Sequence, residues 1–250
     1  MQPFLRWFLG LVATLAALAP PAFAATAAAA AAATGASPPP LAARYSQTTT
    51  RHDGRLMSES IWYLYRDADR VVTADADGRT LEIWTRTADG RVALRRVFHQ
   101  WHRIVDYTPE ELDSRNAEPH WEALSSMLTA DVRARFEIAG TTASFGEQAQ
   151  ELQHRTDQRA TRIVWLPRAA LPARIEQSGD RFTTVLSLLA LAEQPAPGWP
   201  SVSETAWAGY QPIDATDFGD MDTDPFVQEV ERIDAAAGTL GHLGHLHVVD

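Results

Sequence analysis

Between Tyr45 and Tyr107 apolar and polar residues alternate with a period of two, and Asp-Gly pairs interrupt the pattern at short intervals. Alternation of this kind puts successive side chains on opposite faces of a strand, and Asp-Gly suits the positive φ angles of a tight hairpin. Ser60 to Tyr65 is rich in aromatic and β-favouring residues, bounded by Asp53-Gly54 and by Asp67-Ala68-Asp69. Arg70 to Thr73 follows, then a turn at Asp75 to Gly78, the run Leu81 to Arg86, Asp89-Gly90, and Val92 to Val105. The pattern predicts an antiparallel meander of about five strands.

The character changes at Pro109. Pro119 to Leu128 reads as helical, and Thr129 can N-cap a second helix over Ala130 to Ile138, stopped by Gly140. Strands return at Ala149 to Arg155, Ala160 to Leu166, Ala173 to Gln177 and Arg181 to Leu191. The last contains the most continuous apolar run of this region, Val185 to Ala192, and is predicted to be central and buried on both faces. Near the C-terminus, Asp224 is placed to cap a helix with Pro225 at its first position and Phe226, Val230 and Ile233 along one face. Antiparallel sheet with a helical insertion at 117–139 and a C-terminal helix is an α+β fold.

Composition removes much chemistry. All 22 basic residues are arginine, which excludes a lysine Schiff base and a P-loop lysine. With no cysteine there are no disulfides, thiolate metal sites or iron–sulfur clusters. A net charge of −10 argues against nucleic acid as a partner. No G-x-S-x-G, H-E-x-x-H or G-x-G-x-x-G frames a catalytic or nucleotide site, so no catalytic residue is named and a non-enzymatic role is expected.

Residues 1–24 carry one charge, Arg6, then an apolar run to Leu18 and Ala22-Phe23-Ala24, the pattern of a cleaved secretory signal. The run is too short to span a membrane, so a periplasmic protein without a transmembrane anchor after cleavage is expected. Residues 25–40 form an Ala- and Pro-rich linker, 41–200 the β-domain, and 201–250 an acidic loop, a short helix and a histidine-containing tail.

Tyr45-x-Gln47, Gly54, Ser58 to Arg66 and Arg70-Val71 resemble the opening strands of LolA-like proteins, the periplasmic lipoprotein carriers and RseB-like sensors. Val164-Trp165-Leu166 and Leu171-Pro172-Ala173-Arg174-Ile175-Glu176, with the strand 181–191, resemble that family's late hairpin. The resemblance covers about half the chain; the family's long N-terminal helix and any counterpart to the tail beyond Trp199 are missing. It implies a curved antiparallel sheet, a half-barrel whose concave face holds acyl chains beneath helices. The ligand would be a hydrophobic small molecule, lipid or lipoprotein, and an envelope protein is a further possible partner.

On that face the candidate ligand-binding residues are Trp62, Leu64, Ile83, Trp84, Phe98 and Trp165, with a filled, ordinary core as the alternative. No cofactor is required. The alternative is zinc or copper on His242, His245 and His247 of the tail, with Asp234 or Asp250 as a fourth ligand. His99 and His102, if both lie on a strand, point to opposite faces and make a poor metal pair.

Overall fold

The computed structural model describes residues 38–237 except 116, 118 and 157. Twelve strands form one curved, unclosed sheet. In chain order they are β1 (Leu41–Arg51), β2 (Leu56–Arg66), β3 (Arg70–Asp75), β4 (Thr80–Arg86), β5 (Val92–Phe98), β6 (Arg103–Tyr107), β7 (Glu137–Ser144), β8 (Glu147–Arg155), β9 (Ala160–Leu166), β10 (Leu171–Ser178), β11 (Phe182–Ala192) and β12 (Gln211–Asp214). The lateral order is β12-β6-β5-β4-β3-β2-β1-β11-β10-β9-β8-β7, antiparallel except for β12 against β6. Two meanders therefore meet where β1 pairs with β11.

The meander from β1 to β6 has one strand more than the alternation predicts, because the run from Val92 breaks at residues 99–102 into a hairpin. Its Asp-Gly turns form as expected, with φ of 85° at Gly54, 63° at Gly78 and 88° at Gly90. At Gly78 space matters as well as φ, since a Cβ there would lie 3.1 Å from Pro200.

Among the described residues four α-helices accompany the sheet: α1 (Pro109–Ser114), α2 (Trp121–Ser126), α3 (Ala130–Arg133) and α4 (Pro225–Ala237). Thr129 caps α3 as its sequence suggests, accepting from the Val132 amide at 3.2 Å. The helix nevertheless stops at Arg133, and Glu137 to Ser144 becomes β7; pairing with β8 overrides a weak local helix preference. Asp224 caps α4, its Oδ1 accepting from the Phe226 amide at 2.8 Å. β11 is central, between β1 and β10, but it is not buried on both faces. Leu186 and Leu188 are buried while Leu189, beside the bulge at Arg44 and Tyr45, is 46% exposed.

Each face of the sheet carries its own apolar cluster. One cluster runs from Trp84, Leu94 and Phe98 through Tyr45 and Trp62 to Trp165 and Leu152, and packs against α1–α4. Residues from β4–β5 and β8–β9 join one cluster because the sheet curls around it, which makes this the concave face. The convex cluster, with Tyr63, Tyr65, Leu81, Ile83 and Val97, lies under the segment 199–210. There Trp199 packs 5.2 Å from the Tyr63 ring, the Tyr65 hydroxyl donates to the Pro200 carbonyl at 2.9 Å, and Trp207 is buried.

Candidate functional site

Cross-strand register builds the concave site. β1 and β2 set Tyr45 opposite Trp62, and their rings stack with centroids 4.8 Å apart. The Tyr45 hydroxyl donates to the Pro172 carbonyl at 2.9 Å, and burial pushes its phenol far above the usual range. Trp62, Leu64, Trp84, Phe98 and Trp165 share this one cluster. Ile83 does not. It neighbours Trp84 on β4, so the period of two sends it to the convex cluster. Phe98 meets α4 through an edge-on contact with Phe226 at 5.2 Å.

All five concave residues are buried, with exposures of 1–5%, beneath a cover of α1–α3 and beneath α4. Among the described residues, no backbone hydrogen bond joins residues 117–135 to a strand. Side chains hold the cover instead. The Arg86 guanidinium stands 5.1 Å from the Trp121 ring, and that of Arg133 stands 4.3 Å from Trp165 while reaching Glu122 at 3.5 Å.

Arg66, at the end of β2, is the main tie. Its Nη1 donates to Ser125 O at 2.6 Å, its Nη2 to Ala169 O at 2.6 Å and Pro39 O at 2.9 Å, and its Nε also to Pro39 O at 3.1 Å. These carbonyls belong to α2, to the β9–β10 turn and to the chain before β1. Burial without a carboxylate partner pushes the guanidinium down to about 10, which leaves it charged at neutral pH. Nothing in the sequence reading gave Arg66 a role, although it closes an otherwise aromatic strand.

A second buried polar group anchors α4. Arg96 pairs with Glu82 at 3.1 Å and with Asp234, and the Tyr107 hydroxyl donates to Asp234 Oδ2 at 2.7 Å. Asp234 is thus fully buried and engaged, which removes it as a fourth ligand for a metal on the tail. His242, His245 and His247 lie outside the described residues. Among the described residues no group of three His, Asp or Glu side chains is placed to hold a metal ion.

His99 and His102 sit in the β5–β6 turn rather than on a strand, and both pack against Tyr210, with ring centroids 5.5 and 5.0 Å away. His99 Nδ1 shares a 2.9 Å hydrogen bond with the Tyr210 hydroxyl. Burial, with a smaller contribution from His102, holds His99 below its ordinary value of 6.5, and Asp75 partly opposes the shift. The unfolded chain therefore takes up this proton first. Stability from His99 is complete above pH 6.5 and is lost as pH falls through the lower folded value. Melting temperatures at pH 7.5 and 5.0 should show a smaller acid-induced drop in His99→Gln than in the wild type; equal drops would remove His99 as the cause.

No protein-family model matches this chain. No curated protein matches it either. Solved structures with a similar chain path include PNGF-II, at 10% identity and a TM-score of 0.39, covering 73% of this chain and 33% of that one. The chain thus spans about a third of the length of PNGF-II. A putative outer membrane lipoprotein-sorting protein domain from Vibrio parahaemolyticus matches at 12% identity and a TM-score of 0.29, covering 68% and 89% of the two chains. A DUF1329 family protein from Desulfovibrio piger matches at 9% identity and 0.27, covering 67% and 89%. At such scores these neighbours assign the chain no family, ligand or activity.

Proposed function

We propose that this chain is an exported, periplasmic binding protein that holds an acyl chain or another hydrophobic ligand on the concave sheet face, as a lipid or lipoprotein carrier or an envelope sensor. One observation carries the reading: the aromatic face lies under a cover that no backbone hydrogen bond ties to the sheet among the described residues. The cover's helices have six, six and four residues, too short to persist alone. Lifting it breaks side-chain contacts and leaves the strand ladder whole, so an apolar ligand can replace the cover's own side chains against Trp62, Leu64 and Trp165. The reading assigns binding and no catalytic step. Among the described residues no helix is long and apolar enough to cross a membrane.

Close burial of the same residues supports a second reading, a protein-interaction module whose core stays filled. Native mass spectrometry of the untagged protein recovered from the periplasm separates the two. A bound lipid mass, displaced by added fatty acid, is the expected result. A bare mass that stays bare after incubation with fatty acid would overturn the carrier reading in favour of the filled core.

A further inference from the structure

Below the apolar rows of the concave face, the register aligns a row of uncharged polar side chains. Ser58 pairs with Thr49, Thr49 with Thr184, Thr184 with Gln177, Gln177 with Thr161, and Thr161 with His154. Each lies two residues along its strand from the next row inward, which includes Leu186, Ile175, Ile163 and Leu152 of the concave cluster, so the polar row shares their face. Six adjacent strands carry it over about 24 Å, at roughly 4.8 Å per strand.

The row's hydrogen-bonding capacity is largely unspent. Thr49 and Thr184 share a 3.2 Å hydroxyl contact. Among the described residues no protein hydrogen bond engages the Thr161 hydroxyl, the Gln177 amide or the His154 ring; the His154 ring packs on Phe136 at 5.6 Å, and the Thr161 hydroxyl is not sealed from water. Side chains left to water in this way can exchange it for the hydroxyl or amide groups of a ligand. The row offers an ionic group no counter-charge. Arg51, the nearest cation along β1, pairs with Asp53 at 3.6 Å, and the chain as a whole carries −10.

We infer that this row binds the uncharged, polyhydroxylated head of an amphiphile whose alkyl chain occupies the adjoining apolar face. The inference rests on the hydrophobic-ligand reading above and adds the class of the head: a neutral glycoside, in preference to a carboxylate or a phosphate ester. The row and the apolar face adjoin on β11, β10, β9 and β8, so one molecule can span both.

Titration of the Trp fluorescence with dodecyl maltoside, laurate and dodecylphosphocholine, each below its critical micelle concentration, tests this, with free maltose as a fourth arm. Dodecyl maltoside should bind about tenfold more tightly than the other two, the worth of one or two satisfied hydrogen bonds. Thr161→Val combined with Gln177→Leu, substitutions compatible with a strand, should abolish that preference and leave laurate affinity unchanged; Thr48→Val on the opposite face should do neither. Equal affinity for all three heads, or a preference that survives the double variant, would overturn the head site and leave the apolar site standing. No binding of any amphiphile would overturn both readings. Free maltose binding as tightly as dodecyl maltoside would overturn the amphiphile in favour of a saccharide alone.

Discussion

Asp234→Ala is expected to destabilise the protein by about 3–5 kcal/mol and to release α4 from the sheet, the usual cost of removing one partner of a buried ion pair. Arg96 is 1% exposed and lies on the face that carries Leu94 and Phe98. Without Asp234 it keeps Glu82 alone, and the Tyr107 hydroxyl loses its 2.7 Å acceptor. Asp234→Asn should cost less, because an amide oxygen can still accept from Tyr107. Replacing the whole group together, Arg96→Met with Asp234→Leu and Glu82→Gln, removes every charge of the cluster and should recover most of the loss, the Tyr107 hydroxyl still lacking its acceptor. Urea unfolding followed by Trp fluorescence measures all three. A loss below about 1 kcal/mol for Asp234→Ala would show that water reaches the pair and that apolar contacts, Phe226 on Phe98 among them, hold α4.

How far the sequence reveals this arrangement depends on whether a signal is local. The hairpins are legible because Asp-Gly and the period of two are local. β7 is not, since Glu137 to Ser144 owes its conformation to β8 across the turn at Phe145 and Gly146. Trp62, Leu64, Trp84, Phe98 and Trp165 share one cluster, and within a strand, as for Trp62 and Leu64, the period of two makes a shared face legible. Ile83 could have been excluded by parity with Trp84 alone. The polar ties were missed for another reason: charged residues in strands and helices usually mark the wet face. Here parity already held the answer. Leu94-x-Arg96-x-Phe98 puts a cation in step with two core residues, and Asp234 falls four positions after Val230 on the apolar stripe of α4. The concave cover was partly legible, through the cap at Thr129. The segment over the convex face was not, because Trp199 and Trp207 sit in an irregular stretch whose partners, Tyr63 and Tyr65 on one side and Val97 and Ile104 on the other, are remote in sequence.

Arg66→Met should free the cover while leaving the sheet intact. The guanidinium bonds α2, the β9–β10 turn and the chain before β1 at once, through the carbonyls of Ser125, Ala169 and Pro39. Methionine fills the stem's volume and donates nothing, so these buried carbonyls must find water or remain unsatisfied. Charge-assisted hydrogen bonds of this kind are worth about 1.5–3 kcal/mol each, and relaxation of the cover recovers part of the loss, leaving about 3 kcal/mol. Amide exchange over residues 121–133 should then accelerate by roughly a hundredfold, since about 1.4 kcal/mol is a factor of ten, while β4 and β5 keep their protection. Arg66→Lys should fall between, because an ammonium on a shorter reach cannot serve three separated segments together. The same variant bears on function: if the cover gates the apolar face, Arg66→Met takes up a fluorescent fatty acid faster than the wild type and also releases it faster. Faster exchange without faster uptake would mean that the cover moves but does not guard a site. Unchanged exchange would place the restraint elsewhere, in the Arg133–Trp165 and Arg86–Trp121 contacts.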